Sequence, residues 1–287
     1  MQELIFLVGL PGSGKSSWAR EKNRNGEYTV YSSEEYKKEY AGNTAVYAEI
    51  EKRIRKDLKA GKSCILDACN LSRRRRMKML SMTGKNVRRK CVILLTSMDI
   101  CAERADCSMK LINRLLRRMD LPCYFEGFDE IEPVVTGEPY VFPFEEAMKM
   151  DQENPYHHLT VGEHIQAVYE YAVKKRFGKE IETAALNHDI GKFYTKDFYD
   201  WHGQYTPGRA HFYGHEHYGA YLYLMGAMGR GDEFEYALYI AALIDWHMVA
   251  LYEWGDNEIR RRKDRKLIGD KMYSDILKLH EADMGGK

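Results

Sequence analysis

Short apolar runs separated by charged, helix-length segments characterise the first half of the chain. Four such runs occupy residues 4–8, 28–31, 64–68 and 91–96. Between them, residues 43–60 and 71–82 have the spacing of helices, and the second of these segments is unusually basic. Strands that alternate with helices predict an α/β fold, in which a parallel sheet is flanked by helices.

The second half of the chain has a different pattern. The alternation stops after residue 128, and four of the seven prolines fall between residues 133 and 155, where they prevent long helices. Beyond them, residues 158–175, 180–188, 218–228 and 232–252 all have helical spacing. We therefore predict an α/β domain over residues 1–132, a proline-rich linker over 133–153 and an all-α domain over 154–287.

Charge and histidine content divide the chain at about the same place. A length of 287 residues fits two domains. Residues 1–128 carry 26 Lys and Arg against 15 Asp and Glu, whereas residues 129–287 carry 18 against 28 and all ten histidines. The 44% hydrophobic content excludes a disordered chain, and no apolar run reaches the roughly 18 residues of a membrane span.

The cysteines and the first residues bear on the cellular compartment. None of the six cysteines forms a C-x-x-C pair, which favours reduced thiols over a disulfide framework. Residues 1–17 lack the basic segment of a signal peptide and continue into a glycine-rich loop where a cleavage site would stand. We expect a cytoplasmic protein with no membrane partner.

The glycine-rich loop carries the first chemistry. Residues 9–16 read GLPGSGKS, which satisfies G-x-x-x-x-G-K-[ST] between an apolar run and a helical segment. Such a loop surrounds phosphates with backbone N–H groups, while its lysine reaches the β and γ oxygens and its serine binds Mg²⁺. It predicts a nucleoside triphosphate site formed by the loop and the residue after it: Gly9, Gly12, Ser13, Gly14, Lys15, Ser16 and Ser17.

Polar residues follow the second and third apolar runs, where parallel strands open onto the nucleotide crevice. Glu34 in that position can take a proton from an acceptor hydroxyl, as kinase chemistry requires. Asp67 and Asn70 follow the third run, and Arg104 lies further along. Each has a plainer interpretation: Glu34 as a first-turn helix acid, Asp67 and Asn70 as turn residues, and Arg104 as a surface charge.

Taken in order, these elements resemble the polynucleotide-kinase-like branch of P-loop kinases over about residues 3–132. SSEEYK at 32–37 is similar to its S-S-D-x-x-R element, DACNLSRRRR at 67–76 to its D-x-T-N-x-x-x-x-x-R element, and EGFD at 126–129 to its last segment. The resemblance implies ATP as the donor, Lys15 and Ser16 on the phosphates and Mg²⁺, and Asp67 and Asn70 in the site. It also implies Glu34, in place of the usual Asp, as the general base and Arg104 as the lid arginine.

Histidine and aspartate recur along the second half on separate helices or helix ends. They include His164, the His188–Asp189 pair, His215 and Asp245. Imidazole with carboxylate suits transition metals better than Ca²⁺, and a bridging carboxylate holds two ions about 3.5–4 Å apart to activate water against a phosphoester. The plainer interpretation is an acidic helical bundle with scattered histidines.

This second set resembles the HD phosphohydrolase superfamily over about residues 154–250, particularly in NPYHHLTVGEH at 154–164 and GHE at 214–216. The resemblance implies a divalent transition metal such as Mn²⁺, Ni²⁺, Co²⁺ or Zn²⁺. It also implies roles for individual residues: His164, His188, Asp189 and Asp245 as core ligands, His215 as a ligand of a second ion and Lys192 near the scissile phosphate. His157 and His158 are expected at the entrance.

Together the two halves resemble bifunctional kinase–HD enzymes that heal nucleic-acid ends. We expect an ATP-dependent 5′-OH polynucleotide kinase joined to a hydrolase of 3′ or 2′,3′-cyclic phosphates, with a ligase as a further partner. RNA is favoured over DNA because a cyclic phosphate requires a 2′-OH. The alternatives are a small-molecule or nucleoside kinase fused to a nucleotidase, and a nucleotide-gated regulator. The basic run 73–76 is expected to bind acceptor phosphates, or else to be a solvated helix face.

Overall fold

The computed structural model describes residues 1–138, 140–155 and 158–286. Pro139 of the predicted linker and the expected entrance residue His157 lie outside the described residues. The chain forms two compact units. The first comprises Met1–Ile112 and Pro122–Glu138, and the second comprises Asn113–Leu121 and Pro139–Lys287.

The first unit is built on a parallel sheet of five strands in the order β2-β3-β1-β4-β5. The strands are β1 (Gln2–Val8), β2 (Tyr28–Ser32), β3 (Ser63–Asp67), β4 (Val87–Leu95) and β5 (Glu130–Val135). In the central strand, Phe6 pairs with Leu66 on one side and with Cys91 on the other. The predicted α/β fold with a parallel sheet is confirmed.

The fifth strand was not expected from the pattern, because Pro133 interrupts it and the linker was predicted to begin at that residue. Pro133 pairs with Ile93 of β4, and β5 is the edge strand of the sheet. A proline has no N–H to donate, which an edge strand tolerates and a central strand does not. The residues predicted as the start of the linker therefore belong to the sheet.

Helices cover both faces of this sheet, which is why β1 is apolar from Leu4 to Val8 rather than alternating. A core of fully buried residues on one face includes Ile5, Leu7, Ala19 and Ile65. The helices are α1 (Lys15–Lys22), α2 (Ser33–Tyr36), α3 (Asn43–Lys59), α4 (Arg73–Leu80), α5 (Met98–Arg104) and α6 (Met109–Leu116), and the boundary between the units falls within α6.

The second unit is helical, as expected, and its described residues contain only isolated β-bridges. Its helices are α7 (Phe144–Met148), α8 (Val161–Lys175), α9 (Lys179–Ala185), α10 (Lys192–Thr195), α11 (His215–Arg230), α12 (Phe234–Val249) and α13 (Glu258–Gly285). A π-helical turn, Ala250–Trp254, extends α12. Helix α13 was not predicted, and it is interrupted at Gly269, whose φ of 82° is not helical.

One stretch in the described part of the chain, Phe234–Trp254, is long and apolar enough to cross a membrane by length and composition alone. Its most apolar window is 61% buried within the protein. Core helices pass the same test, so this feature is weak support for a membrane span.

Candidate functional site

The phosphate-binding loop lies between β1 and α1, as the motif predicts. Gly12 and Gly14 have φ angles of 75° and 93°, in the left-handed region that favours glycine. A Cβ on Gly12 would lie 2.3 Å from the carbonyl oxygen of Cys101 in α5. Glycine is therefore required at position 12 by both backbone conformation and space.

Hydrogen bonds from neighbouring residues hold the phosphate-binding loop in its conformation. The carbonyl oxygen of buried Ser13 accepts from the Thr96 hydroxyl at 3.2 Å and from the Thr136 hydroxyl at 3.1 Å. Lys15 is also buried, and its ammonium donates to the carbonyl oxygen of Leu10 at 2.5 Å. The residues after β4 and β5 therefore hold the loop in shape, and the lysine folds back onto it.

The serine of the motif faces the end of the third strand. Ser16 Oγ donates to Asp67 Oδ2 at 2.6 Å, and Asp67 is buried at the end of β3. Hydroxyl and carboxylate oxygens are ligands that Mg²⁺ prefers. Ser16 and Asp67, predicted separately, thus meet at one place that fits Mg²⁺. Of the other predicted loop residues, Gly9 donates its N–H to the carbonyl oxygen of Cys69, and the Ser17 hydroxyl accepts from Arg20.

Asn70 has a structural role in the turn after β3. It is buried with a φ of 47°, and its Nδ2 donates to the carbonyl oxygen of Leu7 at 2.8 Å. A short amide side chain that bonds to nearby backbone is the usual occupant of such a turn. The side chain of Asn70 therefore ties β1 to the end of β3, and its contact with the nucleotide stays a prediction.

Glu34 lies in the first turn of α2, directly after β2. Its side chain is 73% exposed and forms an ion pair with Lys37 at 2.6 Å. Burial disfavours the charged form of Lys37, but Glu34 outweighs it and raises the pKa of the ammonium. The position fits both the proposed general base and the first-turn acid.

Arg104 is exposed at the end of α5, the helix that contacts Gly12. Burial raises the pKa of the Cys101 thiol to about 12, while Lys15 and Arg104 act in the opposite direction. Both cations are thus close enough to the same thiol to influence it. This placement beside the loop is compatible with the predicted lid arginine.

The basic run at the start of α4 separates into two pairs. Arg76 is buried and forms a bidentate ion pair with Glu126, with contacts of 2.8 and 2.6 Å. Arg73 lies 3.8 Å from the same carboxylate. Arg74 and Arg75 are exposed. The expectation that all four arginines face acceptor phosphates, or all face solvent, is therefore wrong for Arg76, whose charge Glu126 satisfies inside the fold.

In the second unit, one carboxylate lies between two pairs of histidines. Asp189 Oδ2 is 3.3 Å from Nε2 of both His164 and His188, and Oδ1 is 3.1 Å from Nε2 of His215 and 3.9 Å from Nε2 of His247. All five side chains are buried. The structure thus brings together four predicted residues that come from separate elements. His164 lies in α8, His188 and Asp189 in the turn after α9, and His215 at the start of α11.

The backbone sets the orientation of three of these rings. The Nδ1 atoms of His188, His215 and His247 lie 2.7–2.8 Å from the carbonyl oxygens of Ala185, Phe212 and Ile244, each three residues earlier. An Nδ1–H donated to a carbonyl leaves the Nε2 lone pair free to ligate, and this is how metal-binding histidines are commonly oriented. The three Nε2 atoms accordingly point at Asp189 or at one another.

Asp283, rather than the predicted Asp245, completes the first histidine pair. Asp283 Oδ1 is 3.0 Å from His164 Nε2 and 3.8 Å from His188 Nε2. Asp245 instead accepts from His217 Nδ1 at 2.7 Å. Burial disfavours the charged imidazole, but Asp245 raises the pKa of His217 to about 9. Asp245 and His217 form a separate group of potential ligands with Asp120, apart from the Asp189 cluster.

The separations within the cluster suit metal ions. Ligand atoms that share an ion at about 2.0–2.1 Å lie roughly 3.0–3.4 Å apart. The contacts His164–Asp283, His164–His188 and His215–His247 measure 3.0, 3.4 and 3.1 Å. Two groups of potential ligands thus share Asp189: His164, His188 and Asp189, and then Asp189, His215 and His247.

The pKa shifts of Asp189 and His247 favour the forms that ligate, whereas Asp189 raises the pKa of His188 despite burial. Burial opposes the charge of Asp189, but His188 and Lys192 outweigh it and hold the pKa of Asp189 well below its usual range. Burial, followed by His215 and His188, lowers the pKa of His247 to about 3. A carboxylate and a neutral imidazole are the forms that bind metals.

Lys192 lies at the edge of the cluster. Its ammonium is 2.7 Å from Asp189 Oδ2 and donates to Gln152 Oε1 at 2.8 Å. Both Lys192 and Gln152 are buried, and Gln152 also donates to the carbonyl oxygen of Leu159. The predicted placement of Lys192 beside the metal ligands is consistent with this geometry.

Two cluster residues were missed from the sequence. His247 belongs to the same DWH segment as Asp245. Nearly every residue of α12 from Ala237 to His247 is buried, so no apolar stripe indicates which of the two faces the cluster. Asp283 could have been recognised from its position in the sequence. It lies four residues after Leu279 and seven after Ile276 on the apolar stripe of α13, where a carboxylate is out of place unless it is paired.

This chain is similar to known proteins over part of its length. An AAA domain family model matches residues 4–106. Transcription factor bHLH140 from Arabidopsis thaliana is 26% identical over an alignment of 142 residues that covers 45% of this chain but only 16% of that protein. A gluconokinase from Sinorhizobium meliloti 1021 is 18% identical with a TM-score of 0.37, covering 48% of this chain and 84% of that one. The family match and the loop geometry agree that the first unit contains a phosphate-binding loop domain.

Proposed function

We propose that the chain is a bifunctional enzyme of nucleic-acid ends. Its first unit would transfer phosphate from ATP to a 5′-OH, and its second would remove a 3′ or 2′,3′-cyclic phosphate, leaving ends that a partner ligase can join. The observation that carries the hydrolase half is the position of Asp189 between two histidine pairs. RNA is favoured because only a 2′-OH forms a cyclic phosphate.

Phosphoryl transfer depends mainly on positioning the reactants and neutralising charge, and the residues of the first unit could do both. Lys15 would bind the β and γ phosphate oxygens, and Ser16 with Asp67 would hold Mg²⁺. The Glu34 carboxylate would take the proton of the acceptor hydroxyl. The hydroxyl oxygen would then bond to the γ-phosphorus as the bond to ADP breaks and ADP leaves. Arg104 would offset the charge that develops on the transferred group.

In the hydrolase half, His164, His188, Asp189 and Asp283 would hold one divalent transition metal, and Asp189, His215 and His247 a second. Such ions supply an activated water and polarise a phosphoester. Lys192, oriented by Gln152, presents an ammonium to the same space as the Asp189 carboxylate. It would bind a non-bridging phosphate oxygen and so orient the phosphorus.

A mononucleotide phosphatase is a second candidate for the hydrolase half. The charge distribution favours it, because residues 129–287 carry 28 Asp and Glu against 18 Lys and Arg. An acidic surface repels a long polyanion more than it repels a single nucleotide. Comparing a 3′-phosphorylated oligonucleotide with a 3′-mononucleotide at low and high salt separates the two substrates.

The full-length protein should be incubated with radiolabelled ATP and a 5′-OH oligonucleotide, and separately with a 2′,3′-cyclic phosphate end and Mn²⁺, Ni²⁺, Co²⁺ or Zn²⁺. Lys15→Ala should abolish phosphoryl transfer and spare hydrolysis, and Asp189→Ala should do the reverse. A wild-type protein that binds ATP yet turns over none of these substrates would favour a nucleotide-gated regulator instead.

A further inference from the structure

A hairpin separates two elements of the metal cluster along the chain. Residues 197–211 fold back on themselves, with antiparallel bridges between Asp197 and His211 and between Tyr199 and Tyr205. The chain enters this hairpin from α10 and leaves it just before α11, and both of these helices carry residues of the cluster. We refer to residues 197–211 as the aromatic hairpin.

Contacts of Phe212 place the end of the aromatic hairpin beside the metal ligands. Nζ of Lys192, the cation at the edge of the cluster, lies 5.3 Å from the centre of the Phe212 ring. The carbonyl oxygen of Phe212 lies 2.8 Å from Nδ1 of His215. In sequence, Phe212 is flanked by His211 and Tyr213, whose rings stack nearly parallel with centroids 5.3 Å apart. The hairpin therefore ends one residue before a side chain that is in contact with the cluster.

The segment 151–154 holds the aromatic hairpin in place. The Ala210 N–H donates to the carbonyl oxygen of Glu153 at 2.8 Å. Gln152 of the same segment accepts from the Lys192 ammonium, also at 2.8 Å. One short segment thus orients both the hairpin and the ammonium beside the metal ligands. A surface that is held in this way loses little conformational entropy when it binds a ligand.

Aromatic rings are exposed along this hairpin. Among the described residues of the second unit, seven aromatic side chains are more than a third exposed, and four of them lie between residues 199 and 213. Tyr199, Trp201 and Tyr205 are 52%, 76% and 61% exposed. The rings of Tyr199 and Tyr205 meet at 55°, so they do not cover each other by face-to-face stacking. Large apolar groups gathered on a surface in this way mark a binding site.

The charge of the aromatic hairpin selects the kind of ligand. Residues 197–211 contain one Arg and two Asp, and residues 129–287 as a whole are acidic. Such a surface does not attract a phosphate backbone or an anionic membrane. Flat π systems, in contrast, stack on Tyr and Trp without any need for charge, and every nucleobase presents such a face. A nucleobase is therefore the ligand that fits this surface.

We infer that the aromatic hairpin stacks the bases that precede the 3′-terminal phosphate of a single-stranded substrate. Its two bridges are two residues apart on the first strand, or about 7 Å, which corresponds to two nucleotides at about 3.4 Å each. The rings at Tyr199 and Tyr205 therefore reach the second and third bases from the reacting end. The inference deepens the proposed hydrolase function and rests on it, but binding can be measured without turnover. It gives an acidic unit a means of holding an oligonucleotide by its bases rather than by its phosphates.

The first test uses the full-length protein and a tetranucleotide with a 3′-phosphate. Trp201→Leu/Tyr205→Leu should raise KM at least about tenfold and leave kcat nearly unchanged, because two stacking faces are lost while the metal ligands stay. Trp201→Phe/Tyr205→Phe keeps aromatic rings and should recover most of that loss. Tyr236→Leu is the matched control, since it removes an exposed ring of the same unit about 16 Å before His247 on α12, and its KM should match the wild type.

A second measurement separates bases from phosphates. Anisotropy follows the binding of a tetranucleotide that carries a 5′-fluorescein and a 3′-OH, so that neither end reacts. Replacing its second and third bases from the 3′ end by abasic sites should weaken wild-type binding at least about tenfold and should cost the Leu double variant nothing further. The log–log salt slope should be equal for the wild type and that variant, because no phosphate contact is lost.

Equal affinity of the wild type for the intact and abasic strands would overturn the inference. So would equal losses in the Leu and Phe double variants, which would mean that the rings serve only the packing of the hairpin, or a flatter salt slope in the Leu variant, which would indicate phosphate contacts. If the wild type removes no phosphate from any strand, the proposed hydrolase function fails, whereas base-dependent binding through the hairpin would still support the inference.

Discussion

Asp283 Oδ1 lies 3.0 Å from His164 Nε2, so the last helix supplies a ligand to a cluster whose other members come from residues 164–247. Burial disfavours the charged carboxylate, yet His164 and His188 hold the pKa of Asp283 below its usual range. An acid on the apolar stripe of α13 is thereby kept ionised. The helix completes the candidate metal centre in addition to packing against it.

Asp283→Asn should weaken metal binding more than Asp245→Asn does. The amide cannot replace the carboxylate charge between His164 and His188, so metal affinity should fall by at least the roughly 10–100-fold that outer-shell changes cost. Titration of the metal-stripped protein with Mn²⁺, followed by calorimetry, measures the difference. Asp245→Asn removes the partner of His217 instead and should lower stability while leaving Mn²⁺ affinity nearly unchanged. The reverse order of effects would restore Asp245 as the ligand.

The sequence specified the fold of the first unit well because its signals are local. The loop motif, the apolar runs and the basic segment each occupy adjacent residues, and they appear in the structure as β1 to β4, α1 and α4. Strand β5 was not predicted because Pro133 is tolerated only in an edge strand. The order of strands in the sheet cannot be read from the local sequence.

In the candidate sites, too, only residues close together in sequence could be predicted to act together. Adjacent residues such as His188 and Asp189 were identified together, whereas the choice between Asp245 and Asp283 depends on which face of α12 and α13 packs inward. The arginines at 73–76 look alike in sequence. Only the buried carboxylate of Glu126, fifty residues later, separates Arg76 from Arg74. Long-range partners of this kind cannot be read from periodicity.

Glu34→Gln should separate the two interpretations of this residue. As the general base, Glu34 accepts the acceptor proton, and its amide should lower kcat about 10²–10⁴-fold while ATP affinity stays unchanged. Glu35→Gln is the matched control, since Glu35 is also exposed in α2 and pairs with no described cation. Quench-flow phosphoryl transfer with a 5′-OH strand provides the measurement. Wild-type kcat in both variants would leave Glu34 as a helix-end acid.

Gly191 follows the His188–Asp189 pair and packs against α11. A Cβ there would lie 2.1 Å from the carbonyl oxygen of His215 and 2.6 Å from the Gly219 nitrogen, and both are backbone atoms. Gly191→Ala should therefore separate the turn from α11, lower the free energy of unfolding by about 1–3 kcal/mol and weaken metal binding through His215.

Gly229→Ala is the control for that change. Gly229 also belongs to α11, but a Cβ there meets nothing within 4 Å, so alanine should stabilise the helix by up to about 1 kcal/mol. Urea unfolding followed by circular dichroism compares the two variants. Equal stability of both variants would show that the turn and α11 have room to separate without loss.

Asp275 should make the second unit sensitive to acid. Its buried carboxylate accepts from Tyr239 at 2.7 Å, Lys271 at 2.9 Å and Lys278 at 3.0 Å. Burial opposes ionisation, but these donors outweigh it and lower the pKa of Asp275 below its usual 3.8. Because the folded-state pKa is the lower one, the stabilisation is fully present above the unfolded pKa of about 4 and is lost as the pH falls from there through the folded-state pKa.

Asp275→Asn should accordingly reduce the free energy of unfolding at pH 7 by about 1.5–3 kcal/mol, the worth of hydrogen bonds to a charged group. The difference from wild type should shrink as the pH is lowered from 4 towards 2, because the wild-type carboxylate becomes neutral as well. Asp270→Asn, at a position 80% exposed and paired with Arg265, should change stability by less than about 1 kcal/mol at any pH. Urea unfolding monitored by tryptophan fluorescence between pH 2.5 and 7 provides the comparison. If the difference in the free energy of unfolding between wild type and Asp275→Asn did not change with pH, packing rather than charge would anchor α13 at this residue.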